Sequence, residues 1–573
     1  MPGGSPNRQL PRQADPLSRS LLARHPAVLE HAACAAVVIA FAALCVAIAL
    51  LPAVPIDETR YLTVAWEMRA TGNWSLPTLN FEPYSHKPPL LFWLINASWS
   101  VFGLEVWSAR LIGALSMATV LTLTHLLEKR LLPRSAAGPA ASALMLLALP
   151  LFVALGFSIM FDMLLTATVT GAMLALWIAG HSGARLAFAG YAICVGLGLL
   201  AKGPVALLFT LPAALLGPLW IDATQRRGWT WRIALSIGFG VAIALAWALR
   251  AAYLGGPEFA EMLFWKQSAG RITSSFAHAR PIWFYLPIIL MLLTPILLWR
   301  PALSSLRSVL AEATPARNFL LAWAVPAFIG LSLVSGKQLH YLIPLLPAVA
   351  LLAALGLERI ELRKSDRIAL LAFAGVVLIA LSVLCVTGLR EVSDDTMVTA
   401  IALSLSLPPL LLTGALALAA IAIVGPSLRR SLIGLALANL IVLTSLATQS
   451  RAVLTQLFDL APVADIIAPL RDRPIAMTQE SRGEFGFLAR LTRPPAYVPP
   501  PQLACWILAH PDGLAIVRER DNAQSRQDRW PEVTDVLLVK KFRTDGLITV
   551  VKARTPLPDI PAIAQSCATR GTR

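Results

Sequence analysis

The stretch PIDETRYLTVAWEMRATGNWSLPTLNFEPYSHKPPLLFW, residues 55–93, follows directly on the first long apolar run of the chain. It gathers Asp57, Glu58, Arg60, Glu67, Arg69, Glu82, His86 and Lys87, with several aromatic residues, between segments of membrane-embedded composition. In a chain that is otherwise lipid-soluble, this is where ionisable chemistry is concentrated. The rest of the sequence reads as the apparatus that holds this loop at a membrane surface.

Of 573 residues, 57% are hydrophobic and only 14% are charged, against roughly a quarter charged in soluble domains. With a mean hydropathy of +0.68, the chain reads as a polytopic membrane protein. A net charge of +16 would suggest nucleic acid in a soluble protein, but the cytoplasmic loops of membrane proteins collect Lys and Arg. No basic stripe with interleaved aromatics lies outside the membrane boundaries, so nucleic-acid binding is set aside. The first thirty residues are polar and carry Arg8, Arg12, Arg19 and Arg24. The run that follows, about twenty residues long, suits an uncleaved first helix better than a signal peptide.

Spanning runs fall at 31–51, 106–127, 136–156, 159–180, 185–201, 203–221, 232–252, 281–299, 318–335, 341–357, 368–389, 399–424 and 430–448, which predicts about thirteen helices. The shorter run at 90–104 follows Pro88-Pro89 and reads as an interfacial or re-entrant helix. Alternate connections are Arg-rich and short: the N-terminus, 128–134, 181–185, 222–232, 299–317, 358–367 and 426–430. The positive-inside rule makes that set cytoplasmic and places 52–105, 253–280, 335–340 and everything after 450 outside.

The division expected is a cytoplasmic tail at 1–30, a transmembrane domain at 31–449 and an extracytoplasmic C-terminal domain at 450–573. In the last, PIAMT, ACWILAH, GLAIVRER, TDVLLVKKF and GLITVVKA are β-prone, while 451–471 and 483–491 have helical character, predicting a small α/β domain. Cys34, Cys45, Cys194 and Cys385 sit in apolar runs as small core residues. Cys505 and Cys567 lie in the polar C-terminal part, where an extracytoplasmic location would permit a disulfide.

The outer-side ionisable residues are Asp57, Glu58, Arg60, Tyr84, His86, Lys87, Asp162, Lys202, Lys266, Arg271, Lys337, His340 and Tyr341. Charge near an embedded helix end is costly unless solvated or paired, which makes each a functional candidate. Bland readings stand beside some of them. Glu67 and Arg69 read as the wet face of a juxtamembrane helix, Lys337 as a snorkelling lysine and His340 as an interfacial histidine. Trp66, Trp74, Trp93 and Trp99 suit interface anchoring or sugar stacking. Several cations on one membrane side, with a carboxylate or two beside them, point to phosphate handling and to transfer of a group from a lipid phosphate.

DETRY (57–61), WEMRATGNWSLPTLNFEPYSHKPPLLFWLINASWSVFG, WSARL, FSIMFDMLL (157–165), LLAKGPVAL (199–207), FWKQSAGRITSSFAHARPIWFYLP (264–287) and SGKQLHYLIPLLPAVAL (335–351) together resemble the aminoarabinose transferases. These are the lipid A-modifying branch of the family that also holds the protein O-mannosyltransferases. The resemblance covers about the first 360 residues; the C-terminal domain matches only in size and position.

The resemblance implies a mainly α, GT-C-type helical bundle in the bacterial inner membrane, with its site and C-terminal domain periplasmic. It implies a monomer that transfers aminoarabinose or a related sugar, with inversion, from a polyprenyl-phosphate donor to a lipid A phosphate. By motif position, Asp57 and Asp162 match the functional acids. Arg60, Tyr84, Lys87, Lys202 and Tyr341 match residues around the donor phosphate, and Arg271 matches a loop arginine. Glu58, His86, Lys337 and His340 complete the substrate-binding candidates. The branch's usual Glu-Lys-Pro is His86-Lys87-Pro88 here, and its usual Glu-His is Gln267-Ser268. No cofactor is firmly implied; a divalent metal would have His86 as its candidate ligand. The competing readings are a protein O-mannosyltransferase-like enzyme, a polyprenyl-linked sugar transporter, and a scaffold whose soluble domain does the work.

Overall fold

The computed structural model describes residues 26–132, 140–266, 280–294, 296–357, 360–387, 401, 402, 404–424, 427–520, 534–543 and 546–554. Helix α1 (Pro26–Ala49) leads to α2 (Asp57–Thr71), a two-residue-strand hairpin of β1 (Thr78–Leu79) and β2 (Glu82–Pro83), and α3 (Leu90–Phe102). Asp57 and Glu58 occupy the first turn of α2, where the helix dipole favours acids, and Gly72 ends it with a left-handed φ of 69°. The outer loop is thus largely helical, and α3 forms at the short run after Pro88-Pro89.

Next come α4 (Val106–Leu131), α5 (Ala141–Leu147), α6 (Pro150–Gly156), α7 (Phe161–Ser182), α8 (Arg185–Lys202), α9 (Val205–Leu215) and α10 (Trp229–Glu261). They are followed by α11 (Tyr285–Leu292), α12 (Arg300–Ala311), α13 (Pro315–Leu333), a 3-10 turn (Leu339–Leu345) running into α14 (Leu346–Leu357), α15 (Lys364–Thr387), α16 (Leu407–Val424) and α17 (Leu428–Phe458). Among the described residues eight helices are long and apolar enough to cross a membrane. The chain is an integral membrane protein.

Several expected spans differ in form. The run 136–156 is broken into α5 and α6 because Pro150 opens a new helix. The run 203–221 gives an 11-residue helix, and 281–299 an 8-residue one. Helix α10 is longer than predicted and bends at Gly256 (φ 80°) before Pro257. Part of the predicted loop 299–317 is helix α12, which begins with Pro301 in its first turn.

Helix α17 passes unbroken through residue 450 into the C-terminal region. There, α18 (Ala461–Ile467) and α19 (Leu503–Ala509) flank a five-stranded mixed sheet, β3 (Ile475–Met477), β4 (Ala496–Tyr497), β5 (Leu514–Arg520), β6 (Thr534–Phe542) and β7 (Gly546–Ala553), in the order β4-β3-β5-β7-β6. ACWILAH is helical rather than a strand: Leu503 and Ile507, four residues apart, share its buried face. Residues 483–491 form turns rather than a helix, with left-handed backbones near both ends, at Gly483 (φ 86°) and Arg490 (φ 54°). Cys505 is disulfide-bonded, while Cys567 lies outside the described residues.

Candidate active site

Two antiparallel helices build the deepest part of the site. Asp162 lies in the first turn of α7 and Lys202 in the last turn of α8. Each end of the helix dipole therefore carries the charge it favours, and the short link at 183–184 returns both residues to one end of the hairpin. Lys202 Nζ donates to Asp162 Oδ1 at 2.5 Å. His340 Nε2 stands 3.8 Å from Asp162 Oδ2, and Lys202 Nζ lies 4.4 Å from the centre of the Tyr341 ring. Asp162 is almost fully buried, so the cations around it keep its carboxylate from being a lone charge in a poorly solvated place.

The loop of residues 55–93 closes over this cluster. Lys87 Nζ is 5.4 Å from the Phe161 ring, and its charge reaches both Asp162 and His340. Phe161 packs edge-on against Tyr61 at 4.9 Å and Phe92 at 5.5 Å. Tyr61 is buried within the field of Asp57, Tyr84, Arg60 and Asp162, and burial pushes its phenol upward. Asp57 and Arg60 sit one turn apart on α2, with a guanidinium nitrogen 3.5 Å from the carboxylate and the acid 55% exposed. Tyr84 is buried and its ring lies 5.2 Å from that of the exposed His86. The fold thus brings Asp57, Arg60, Tyr84, Lys87, Asp162, Lys202, His340 and Tyr341 into one cluster at one end of the bundle.

Glu58 and Lys337 are engaged elsewhere, which corrects their reading as substrate-binding residues. Both oxygens of Glu58 are filled: Arg110 donates from Nε at 3.1 Å and Nη2 at 2.7 Å, and the amides of Ile159 and Val54 at 3.2 Å and 2.9 Å. Burial raises its carboxyl, but the Arg110 charge and these bonds outweigh that and hold it below its ordinary value. Lys337 is buried, and its ammonium donates to the carbonyls of Val334 at 2.5 Å and Arg280 at 3.1 Å, tying together two chain segments. Arg271 lies outside the described residues.

Glu67 is not on a wet face. It is 1% exposed and accepts from Thr78 Oγ1 at 2.7 Å and from the amides of Asn80 and Phe81 at 2.8 Å and 2.9 Å. Arg69 does face solvent, with Ser100 as its partner. Tyr61, Arg110 and Phe161 were missed; the detectable signal was Arg110, a charge four residues into an apolar run. Among the described residues no three His, Cys, Asp or Glu side chains are grouped to hold a metal ion, and Gln267 and Ser268 lie outside them.

Two crystal structures of ArnT from Cupriavidus metallidurans superpose with a TM-score of 0.72. The one bound to undecaprenyl phosphate is 20% identical and aligns over 90% of this chain and 97% of its own. The fold is that of ArnT. The family model for dolichyl-phosphate-mannose-protein mannosyltransferases matches residues 86–249, which takes in Lys87, Asp162 and Lys202 but not Asp57 or Arg60. An undecaprenyl phosphate-alpha-4-amino-4-deoxy-L-arabinose arabinosyl transferase of Pseudomonas fluorescens is 32% identical over 355 residues, 59% of this chain and 61% of the relative. A namesake from Edwardsiella ictaluri is 32% identical over 323 residues, covering 53% and 55%. The chain spans about three-fifths of the length of the Pseudomonas relative.

Proposed function

We propose that this chain is a membrane glycosyltransferase that moves a sugar from a polyprenyl-phosphate donor to a lipid A phosphate on the periplasmic face of the inner membrane. In this reading residues 31–449 form the catalytic bundle and 450–573 a periplasmic domain. The observation that carries it is the outer-side cluster of Lys202, Lys87, Tyr341 and His340 around a single buried carboxylate, Asp162. The fold shared with an undecaprenyl phosphate-bound structure and the names of the sequence relatives support it.

The donor tail lies between helices, and Arg60, Tyr84, Lys87 and Lys202 hold its phosphate. Asp162 orients Lys202, and Tyr341 packs beneath the ammonium. An acceptor phosphate oxygen attacks the anomeric carbon from the face opposite the donor phosphate. The new carbon–oxygen bond forms as the bond to the polyprenyl phosphate breaks, inverting the centre. Negative charge grows on the departing phosphate, where fixed cations in a poorly solvated site stabilise it most. A phosphate monoester, with a second pKa of about 6, is already largely ionised at neutral pH, so no strong general base is required. Asp57, the exposed acid of the site, orients the sugar or the acceptor.

A second reading, transfer to a protein hydroxyl, is favoured by the protein mannosyltransferase family match. It would ask Asp57 to act as a base, since a hydroxyl must lose its proton. Mass spectrometry of lipid A from cells with and without the gene separates the two. A sugar-sized mass gain on a lipid A phosphate is expected; unchanged lipid A with altered glycoproteins would replace the first reading by the second. Asp57→Asn is expected to spare a phosphate acceptor more than a hydroxyl acceptor, and full activity on both removes Asp57 from the chemistry.

A further inference from the structure

We propose that the C-terminal domain is a positioning element of the phosphate site: its 481–487 turn fixes the hairpin leading to Tyr84 and Lys87 against the helix carrying Asp57 and Arg60. The proposal rests on the donor-phosphate reading above and gives the C-terminal domain a part in it.

The hairpin closes on a two-residue loop of a favoured left-handed type, with an unusual residue in it. Asn80 and Phe81, between β1 and β2, both have left-handed backbones, with φ of 55° and 63°. Asparagine tolerates that region, but for phenylalanine it is strained. Such a conformation persists only where its surroundings over-determine it. Here two holders act from different parts of the chain. Glu67 of α2 accepts from the amides of Asn80 and Phe81. From the C-terminal side, Asn80 and Ser481 bond reciprocally: Asn80 Nδ2 donates to the Ser481 carbonyl at 2.7 Å, and Ser481 Oγ donates to Asn80 Oδ1 at 2.9 Å.

The same turn grips α2. Thr63 Oγ1, buried, donates to the Gly483 carbonyl at 2.8 Å and accepts from the Phe487 amide at 3.0 Å. Gly483 and Gly486 have no side chain for a reason: a Cβ on Gly483 would come 3.2 Å from Arg60 Cα, and one on Gly486 would collide with Thr63. The C-terminal turn therefore lies directly on the helix turn that bears Arg60. Four residues beyond Pro83 stands Lys87, and the Tyr84 amide bonds back to the Pro77 carbonyl at 2.8 Å to close the hairpin. One surface thus touches both arms of the phosphate clamp and sets their spacing. Thr63, Asn80 and Ser481 are positioning residues; none is assigned a contact with substrate.

The test uses the full-length protein with Ser481→Ala, Asn80→Gly and the two combined. Glycine at 80 removes the carboxamide and leaves the left-handed backbone at ease. Without any ligand, hydrogen exchange of residues 78–87 is expected to accelerate in each variant. Affinity for undecaprenyl phosphate is expected to fall roughly 3- to 10-fold in each single variant, with the double no worse than Asn80→Gly alone, because that change already removes both bonds while Ser481→Ala removes only the hydroxyl's. Ser481→Thr keeps the hydroxyl and restores both readouts. A lowered melting temperature with unchanged affinity, or unaltered exchange at 78–87, overturns the proposal and leaves the contact as domain packing. A wild-type protein that binds no undecaprenyl phosphate overturns the donor reading instead, and the exchange comparison then decides the positioning claim by itself.

Discussion

Two buried ion pairs lie at the same end of the bundle and differ in one respect, whether any bonding capacity remains. In the pair Glu58–Arg110, the guanidinium uses all five N–H groups, two on the carboxylate and three on the carbonyls of Ile48, Leu51 and Pro52. Its carboxylate accepts four bonds, and nothing remains to offer a substrate. In the pair Asp162–Lys202, one ammonium N–H bonds the carboxylate, and the ammonium otherwise faces the Tyr341 ring. A saturated pair can lock the end of α1 to α2, α4 and the start of α7. The unsaturated pair keeps ammonium N–H groups beyond the one spent on Asp162, as the proposed phosphate role requires. Burial and charge alone would have ranked the two alike.

The largest expected effect tests the saturated pair. Arg110→Ala leaves the Glu58 carboxylate buried and unpaired, costing about 3–5 kcal/mol, read as lost folded yield and a lowered melting temperature. Replacing both partners, Glu58→Leu with Arg110→Met, is expected to recover much of that loss. If Arg110→Ala folds normally yet abolishes turnover, the contrast between the two pairs is wrong.

For the unsaturated pair, Asp162→Asn with Lys202→Met removes both charges of the pair together. The combination is expected to keep the melting temperature near wild type and to lower turnover by about 10²- to 10³-fold. An unfolded protein would move this pair into the structural class.

The smallest effect is one of pH and sharpens the comparison along α2 itself. Glu58 is held below the ordinary value of 4.5, so its contribution to stability is present above that value and is lost as pH falls through the folded one. Glu67 is raised above 4.5 by burial, which outweighs its three hydrogen bonds. Its contribution is full below 4.5 and is lost as pH rises through its folded value. Melting curves between pH 4 and 8 are expected to flatten on the alkaline side in Glu67→Gln; an unchanged profile rejects the raised value.

The bundle was legible in the sequence because apolar runs of spanning length leave little choice of structure. Lengths were less legible. Pro150 breaks one run, while Gly256 and Pro257 bend another only after the helix has outrun its predicted end. In the site, the residue types were readable but their partners were not. Glu58 and Asp57 are neighbours in sequence, and helical geometry turns one inward to Arg110 and leaves the other exposed. Lys202 and Asp162 could be suspected of meeting, since a helical hairpin returns its ends to one place. Asn80 and Ser481 could not, because 401 residues separate them and neither carries a charge to betray the contact.

That separation bears on how the protein is made. The turn bearing Asn80 is synthesised early, and the residue that steadies it arrives 401 positions later. At roughly 5–20 residues per second, the 55–93 loop waits on the order of a minute before its holder is translated. During that interval the hairpin and α2 exist without the turn that bonds to both. A chain stalled before Ser481 would carry the hairpin without the Asn80–Ser481 contact.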